Sequence, residues 1–379
     1  GWQKTDLIII GARPSMGKAQ PLTAKVLTVD GWKPMGDICL GDRLASTDGG
    51  TSIVTGLYPQ GIKPTYRVTF TDGRSTECCA EHLWRVHHRK WKAGRVFSTA
   101  AIITLMERPH MAGRLWIDAL NGQFGSSTIL PVEPWLLGAL LGDGNLTKNT
   151  IVFSKTSPQI LEMVRSHLPA PIEMVFTGGC DWRLSEPGAY FGKKNANPLT
   201  AAMRNLGLMG CTSANKFIPD SYLSADRITR LGVLRGLMDT DGWVEKHGSV
   251  QFSSASRQLA LDVQYLARSL GYWCSLRTKA THYRKDGVKH PCLTAHVVTI
   301  SGESLSDLFL CEEKLKRCAG RTRHKRVAFA SITAIGNKEC RCISVSHPNG
   351  LYITDEYVAT HNTSLALNTA VAAAKAGHG

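Results

Sequence analysis

Apolar and polar residues alternate in both end regions of the chain, which predicts short strands. Lys25–Val29 alternates up to a turn at Asp30-Gly31, and Arg341–Val345 and Leu351–Thr354 flank a His-Pro-Asn-Gly turn. A period of two bounded by Gly, Pro, Asn and Asp is typical of strands joined by tight turns. We therefore expect the two ends of the chain to be rich in β-structure.

The middle of the chain instead carries apolar residues at helical spacing, in two segments that share one pattern. They read LLGALLGDG at Leu136–Gly144 and LRGLMDTDG at Leu234–Gly242, and Asp241 follows Asp143 by 98 positions. We predict two helices that approach closely through the glycine at their third position and bring both carboxylates to one end. One Asp-Gly after a helix is usually only a helix stop. Two carboxylates brought together near scissile phosphates can hold Mg²⁺ in a hydrolysis site.

A third pattern is a phosphate-binding loop that lacks its last residue. Gly11–Lys18 follows a strand-like apolar run and fits the motif up to Gly-Lys, but the next residue is Ala19, which has no hydroxyl for Mg²⁺. Far away, Thr363 begins a strongly helix-forming segment. Joining Lys18 to Thr363 restores strand, loop and helix. We therefore predict that residues 19–362 are an insertion that leaves the chain.

The residues at the second junction supply a chemical reason for this departure. The insertion ends in His361-Asn362 and is followed by Thr363. An Asn side chain can attack its own backbone carbonyl and cut the chain after itself, and a preceding His can assist the proton transfers. Thr363 offers a hydroxyl nucleophile. ATP and its Mg²⁺ would then be bound only after excision, by Gly17, Lys18 and Thr363.

Composition narrows the class of protein further. The chain has 379 residues, 43% of them hydrophobic, a net charge of +15 and eleven cysteines without repeating spacing. We expect two or three soluble domains, no membrane span and no signal peptide. The cysteines favour a reducing compartment, hence the cytoplasm. The charge favours a polyanionic partner, with Arg85–Arg95 and Arg321–Arg326 as patches that either contact phosphates or form solvated linkers.

On these residues the chain resembles an intein, a protein-splicing element, within a replicative DNA helicase of the DnaB type. The resemblance implies a mostly β Hint horseshoe, interrupted by an α/β domain of the LAGLIDADG homing endonucleases and flanked by short exteins. The implied boundaries are 1–18 for the N-extein, 19–115 and 323–362 for the splicing halves, 116–322 for the endonuclease, and 363–379 for the C-extein.

The segment CCAEHLWRV resembles the second splicing block, with the family's Thr-x-x-His present as Cys79-x-x-His82. The resemblance implies that His82 protonates the leaving amine, and it leaves open what replaces the usual threonine. Trp84, Cys342 and Thr360 match the signature of class 3 inteins, in which an internal cysteine replaces the missing nucleophile of the first residue. Trp84 alone would be taken for a core aromatic.

The implied splicing mechanism needs no cofactor. Cys342 attacks the carbonyl of Lys18 and breaks its bond to Ala19, Thr363 takes over the N-extein, and Asn362 cyclises with help from the histidine before it. A thiol suits the first step because a free cysteine is partly ionised at neutral pH and intrinsically nucleophilic. We also expect Zn²⁺ or an oxidant to block splicing by occupying the Cys342 thiolate.

The paired central segments resemble the LAGLIDADG motifs, and Lys216 in NKFIPDSYL matches a Lys-x-Ile-Pro stretch of that family. The resemblance implies Mg²⁺ at Asp143 and Asp241, with Lys216 activating water or stabilising phosphate charge. The implied partners are double-stranded DNA at the uninterrupted helicase gene and the flanking exteins, and the intein is expected to be a monomer.

Two alternatives remain open at this stage, and a third is disfavoured. The chain could be an ordinary intein trapped by a Cys-to-Ala change at Ala19, or a nuclease whose splicing halves are vestigial. An ATPase domain formed by residues 1–18 is disfavoured, because Lys18 and Thr363 belong to one loop only after excision.

The class 3 interpretation predicts that this sequence splices as it stands and that Cys342→Ala stops it, because the first residue carries no nucleophile. The measurement is mass spectrometry of the expressed chain. An inert parent that Ala19→Cys revives would show that Ala19 is an engineered block instead.

Overall fold

The computed structural model describes residues 18–187, 197–246, 249–286, 288–318 and 325–361. The chain divides at Gln123/Phe124 and at Lys325/Arg326 into two compact units, the first built from both ends of the chain and the second from the middle. No helix in the described part is long and apolar enough to cross a membrane. The predicted strand before Lys18 and the helix after Thr363 lie outside the described residues.

The N-terminal part of the first unit consists of short strands, as the alternating pattern predicts. The hairpin that turns at Asp30-Gly31 forms because Gly31 takes a φ of +119°, which a side chain would strain. One short helix, α1 (Thr99–Met106), is capped by the Ser98 hydroxyl. The strands are β1 (Gln20–Pro21), β2 (Lys25–Thr28), β3 (Gly31–Pro34), β4 (Arg43–Ala45), β5 (Thr51–Phe70), β6 (Ser75–Cys79), β7 (Leu83–His87), β8 (Arg95–Ser98) and β9 (Trp116–Ile117).

The second unit repeats one arrangement, a helix followed by a four-stranded antiparallel sheet with a further helix. The first repeat contains α2 (Pro134–Asp143), β10 (Gly144–Asn145), β11 (Val152–Ser154), α3 (Pro158–His167), β12 (Glu173–Gly178), β13 (Asp181–Ser185) and α4 (Pro198–Asn205). After α5 (Asp220–Leu223), the second contains α6 (Arg227–Asp241), β14 (Gly242–Val244), β15 (Val250–Ser254), α7 (Arg257–Ser269), β16 (Trp273–Lys279), β17 (His282–Lys285), β18 (Val288–Pro291), β19 (Ala295–Ser301) and α8 (Glu312–Cys318). The sheet orders are β10-β11-β13-β12 and β14-β15-β19-β16.

The C-terminal strands complete the first unit. They are β20 (Phe329–Val345), β21 (Leu351–Thr354) and β22 (Val358–His361). Strand β20 pairs antiparallel with β5 from Phe329↔Phe70 to Val345↔Val54 and also with β1, while β22 pairs with β7. The resulting path β1-β20-β5-β4-β2-β21-β22-β7-β8 interleaves strands from both ends of the chain. The predicted β-rich ends therefore form one sheet structure.

The unit boundaries fall later than the implied 116 and 323. Strand β9 pairs with β7, and Ile117 N donates to Val327 O at 3.1 Å. Asn121 N donates to Thr47 O at 2.9 Å, and the Arg326 guanidinium lies 4.8 Å from the Trp116 ring centroid. These long-range contacts assign 116–123 to the first unit, and no local periodicity in the sequence reveals them.

Helices α2 and α6 approach through their glycines, as predicted. A Cβ on Gly138 would lie 3.0 Å from the Gly236 Cα and collide with Val233 O, and a Cβ on Gly236 would lie 2.6 Å from Ala139 N. Buried leucines from both helices join a core that extends through both repeats. The close contact fixes the C-terminal ends of the two helices beside each other.

Gly236→Val should therefore destabilise the second unit by about 2 kcal/mol or more, because the side chain overpacks a backbone contact. Chemical denaturation, monitored by amide hydrogen exchange in α2 and α6, measures the loss in free energy of unfolding. Ile228→Val, at an 80% exposed position of α6, is the matched control and should change little. Equal stability of the two variants would contradict the close helix contact.

Candidate functional sites

The Lys18–Ala19 peptide bond is held at both of its ends. The Lys18 carbonyl oxygen lies 3.3 Å from His82 Nδ1, and Ala19 N donates to Cys79 Sγ at 3.1 Å. Cys79 N in turn donates to Ala19 O at 2.9 Å. Ala19 is fully buried against Cys79 and Cys340. Strand β6 ends at Cys79, so the turn that follows it delivers both contacting side chains to this bond.

His82 was expected to protonate the leaving amine, but the structure places its ring at the carbonyl oxygen and the Cys79 thiol at the nitrogen. The reason is the tight turn after β6, in which His82 N donates to Cys79 O. This turn directs the two side chains to opposite ends of the same peptide. The sequence gives the spacing of the two residues but not the direction of each side chain.

Three neighbours hold His82, two at its ring and one at its backbone carbonyl. His82 Nε2 hydrogen-bonds Thr360 Oγ1, and the Trp84 ring lies edge-on at 5.1 Å between centroids. Trp84 Nε1 donates to Thr99 Oγ1 at 2.9 Å, and this hydroxyl donates to His82 O at 3.2 Å. Burial lowers the pKa of His82 to about 4. The imidazole is thus neutral at pH 7, and its Nδ1–H tautomer would donate to Lys18 O while accepting from Thr360.

Cys342 lies opposite this junction in the sheet. Strand β1 pairs with β20 through Gln20↔Arg341 and Pro21↔Cys340, and the same register continued by one residue places Ala19 opposite Cys342. Cys342 is only 3% exposed, and it interacts electrostatically with the Lys18 ammonium. The strand register therefore puts Cys342 on the strand next to the junction, where its sulfur is hydrogen-bonded to Ile343 O at 3.6 Å.

His361 reaches the same site from the other end of the chain. It is the last residue of β22 and pairs with Leu83, the neighbour of His82. Burial, reinforced by the positive charges of Arg85 and Lys18, lowers the pKa of His361 to about 4. Its Nδ1 has no hydrogen-bond partner among the described residues. The predicted residues Asn362, Thr363 and Gly17 lie outside the described part of the chain.

A second site lies in the second unit, where Asp143 and Asp241 end helices α2 and α6. Asp143 pairs with Lys155 Nζ at 2.5 Å. Burial, followed by the negative charge of Asp143, raises the pKa of Asp241 to about 6. Because the charge of Asp143 opposes ionisation of Asp241, this pair is suited to a divalent cation, which would relieve the repulsion. Within the described ranges no cluster of three or more His, Cys, Asp or Glu forms, so water or phosphate oxygens would complete its shell.

Lys216 contacts the first of these helix ends directly. Its buried Nζ donates to four carbonyls at the end of α2, at 2.7–3.4 Å. Lys314, which the sequence reasoning missed, donates to two carbonyls at the end of α6 at 2.7 and 2.8 Å. Lys314 follows Asp241 by 73 positions, as Lys216 follows Asp143, so the repeat spacing could have found it. Each lysine stabilises the helix end that presents its carboxylate.

Some arginines of the expected basic patch Arg85–Arg95 contact other residues of the protein. Arg85 donates twice to Asp118 at 2.8 Å, and the Arg95 guanidinium lies 4.8 Å from the Trp91 ring centroid. Most of Arg321–Arg326 lies outside the described residues. In the second unit, the β17–β18 hairpin instead presents exposed basic side chains, a surface that the sequence reasoning did not single out.

Comparison with known proteins agrees with this organisation. Residues 229–309 match a family described as a LAGLIDADG-like domain. A replicative DNA helicase DnaB of Mycobacterium intracellulare is 30% identical over 393 residues, covering 95% of this chain and 61% of the relative. Because that alignment covers nearly the whole chain, the relative contains a counterpart of the insertion. The chain is an intein with a LAGLIDADG-like domain, set in a DnaB-type sequence.

Solved structures similar to this intein include two kinds. One is described as the Msm DnaB1 intein splicing domain bound with zinc, with 34% identity, 22% of this chain and 62% of that chain covered, and a TM-score of 0.19. The other is a variant of the homing endonuclease I-DmoI, which is 13% identical. The match covers 51% of this chain and 97% of that chain, with a TM-score of 0.29. The intein chain spans about three-fifths of its DnaB relative.

The buried histidines predict a pH dependence of stability for the first unit. The pKa of His82 is lower in the fold than in the unfolded chain, so its contribution is present above pH 6.5 and is lost as pH falls towards 4. The loss is at most about 3 kcal/mol. Denaturation of a Cys342→Ala background between pH 4 and 8 should show it, and His82→Gln should flatten the profile. An unchanged profile in His82→Gln, equal to that of the exposed control His110→Gln, would contradict the burial argument.

Proposed function

We propose that the intein excises residues 19–362 and joins Lys18 to Thr363 by the class 3 route. The observation that supports this proposal is the scissile peptide held between His82 and Cys79, with Cys342 opposite it in the sheet. Ala19 has no nucleophile of its own, so a thiol from β20 is the group that can attack. Trp84 and Thr360 both contact His82 and thereby position it.

In the first step, the Cys342 thiolate attacks the Lys18 carbonyl carbon and displaces the amine of Ala19. Negative charge develops on the carbonyl oxygen, where the His82 Nδ1–H can donate a hydrogen bond. A neutral imidazole that is already oriented needs no reorganisation to do so. The N-extein then rests as a thioester on Cys342.

The later steps use the second junction. Thr363 attacks the thioester and takes the N-extein as an ester, and Asn362 cyclises and releases the intein. His361 is neutral and buried, with a free ring nitrogen in the described structure, so it can accept or deliver a proton during cyclisation. The Lys18–Thr363 ester finally rearranges to an amide. ATP binding by Gly17, Lys18 and Thr363 belongs to the spliced helicase alone.

The experiment that tests splicing is intact-mass analysis of the expressed chain. Splicing predicts a free 19–362 fragment and a ligated peptide of 1–18 with 363–379. Cys342→Ala should give neither product. A chain that cleaves DNA but never splices would support the alternative that the splicing halves are vestigial.

We also propose that the LAGLIDADG-like domain cleaves double-stranded DNA at the uninterrupted helicase gene. Asp143 and Asp241 would hold Mg²⁺, which supplies charge neutralisation and activation of water when bound. Lys216 and Lys314 contribute by fixing the two helix ends and by placing positive charge near both carboxylates.

Asp143→Asn and Asp241→Asn should each lower the rate of Mg²⁺-dependent cleavage by about 10²-fold or more, because each removes a ligand of the catalytic metal. Both variants should leave splicing unchanged. A plasmid that carries the joined helicase sequence is the substrate. Asp220→Asn, an exposed carboxylate of the same unit, is the control and should cleave normally. Loss of splicing together with cleavage would contradict the separation of the two sites.

The β17–β18 hairpin is proposed as a DNA-binding surface of this domain. Arg284 and Lys289 pair across the hairpin and are both exposed, and Tyr283 stacks on His290 with 5.2 Å between ring centroids. Exposed cations on a stiff ribbon are suited to phosphate contacts.

Alanine at both Arg284 and Lys289 should lower DNA affinity. It should also reduce the magnitude of the slope of log binding constant against log salt concentration by about two, since each phosphate contact contributes about one. Binding measured from 50 to 300 mM salt gives this slope. Alanine at the exposed Lys90 and Lys92 tests the competing patch in Arg85–Arg95. A larger effect from that pair would assign DNA binding to the first unit.

Regulation of Cys342 by Zn²⁺ or oxidants is a further part of the proposal. All eleven cysteines lie among the described residues and none of them forms a disulfide, and Cys340 and Cys342 are both buried two residues apart on β20. A thiolate held by a metal or oxidised cannot attack Lys18. Splicing that proceeds equally with peroxide or Zn²⁺ would exclude this regulation.

A further inference from the structure

The sulfur of Cys79 occupies the position from which a proton must reach the leaving group. Ala19 N is the atom released when the Lys18–Ala19 bond breaks, and Cys79 Sγ is its hydrogen-bond acceptor at 3.1 Å. The backbone of Cys79 also binds Ala19 O at 2.9 Å, so the two residues are held in register. Both side chains are fully buried, which limits the access of water to this nitrogen.

The thiol is also connected to a group at the surface. Glu81 hydrogen-bonds the Cys79 sulfur through both its carboxylate and its backbone amide. The Glu81 side chain is 57% exposed and lies 3.9 Å from Lys63 Nζ. A proton lost from the sulfur can therefore be replaced from solvent through the Glu81 carboxylate. His82 is directed to the carbonyl oxygen instead, and its partner Thr360 is buried.

Burial raises the pKa of Cys79 to about 12, so this sulfur carries its proton at neutral pH. A neutral thiol is a poor nucleophile but can donate a proton to an amine that is being expelled. Two cysteines at one junction would thus divide the work, with Cys342 as the attacking thiolate and Cys79 as the protonated thiol.

We propose that Cys79 is the general acid of the first step, a role that rests on the proposed splicing function. The bond from Cys342 Sγ to the Lys18 carbonyl carbon forms as the bond from that carbon to Ala19 N breaks. The released electron pair on Ala19 N takes the proton of the Cys79 thiol and gives a neutral amine. The Cys79 thiolate then regains a proton from water through the Glu81 carboxylate.

The experiment uses the full chain with Asn362→Ala and Thr363→Ala, which stops the reaction after the first step. Dithiothreitol releases the N-extein from the thioester, and the rate of release at Lys18 is followed by mass spectrometry. Cys79→Val keeps the apolar volume but removes the proton, and it should slow release by about 10²-fold or more. Cys79→Ser retains a proton and should lie within about tenfold of the parent.

The matched control is Cys340→Ala. Cys340 is the other buried cysteine that contacts Ala19, but its sulfur is hydrogen-bonded to Lys338 O at 3.3 Å. We expect its release rate to equal the parent rate within a factor of about three. In Cys79→Gly, which leaves space beside Ala19 N, added imidazolium buffer should restore part of the lost rate, because an external acid can then replace the missing proton donor. A merely structural defect would not respond to buffer acid.

Release from Cys79→Val at the parent rate would overturn the proposal, as would Cys79→Ser being as slow as Cys79→Val with no response of Cys79→Gly to buffer. Failure of the splicing proposal has a different signature. In that case Cys342→Ala would release the N-extein as fast as the parent, or no variant would release it at all.

Discussion

The antiparallel pairing of β20 with both β5 and β1 is the interaction on which the splicing site depends. It places Cys342 opposite Ala19, although more than 300 residues separate them along the chain. The pairing of β22 with β7 adds His361 beside His82 in the same sheet. Neither junction has a complete set of reactive groups by itself. The chemistry therefore depends on long-range strand register, since a slip by one residue would turn Cys342 to the other face.

Burial gives the groups at this site their protonation states. The two histidines are neutral because a charged imidazole would lose its hydration in the sheet interior, and the Cys79 thiol keeps its proton for the same reason. Donors and acceptors in a water-poor site also interact more strongly with developing charge than they would in solution. The second unit uses a different principle. There, two carboxylates are brought together by glycine contacts between helices, and lysines at the helix ends offset the cost.

Much of this organisation was predictable because it depends on local sequence patterns or on a motif that is interrupted along the chain. The hairpin at Asp30-Gly31, the turn at His347–Gly350 and the two carboxylate helices follow from turn residues and helical spacing, and the structure confirms them. The interrupted phosphate loop at Lys18 predicts both junctions without any structural information. What the sequence could not provide was the direction of side chains in a tight turn. His82 contacts the carbonyl oxygen and Cys79 the nitrogen of the junction peptide because of backbone geometry, and Arg85 pairs with Asp118, which follows a strand paired with β7. The unit boundary near Trp116 escaped prediction for the same reason, since it depends on contacts with residues 210 positions later.

The central claim is that the N-extein is transferred from Ala19 to Cys342 across the sheet. Tandem mass spectrometry of the branched species trapped by Asn362→Ala and Thr363→Ala locates that attachment directly. The account predicts a hydroxylamine-sensitive thioester that joins Lys18 to Cys342, together with a free amine on Ala19. An N-extein attached to any other side chain, or an intact Lys18–Ala19 bond in a folded and thiol-reduced chain, would contradict it.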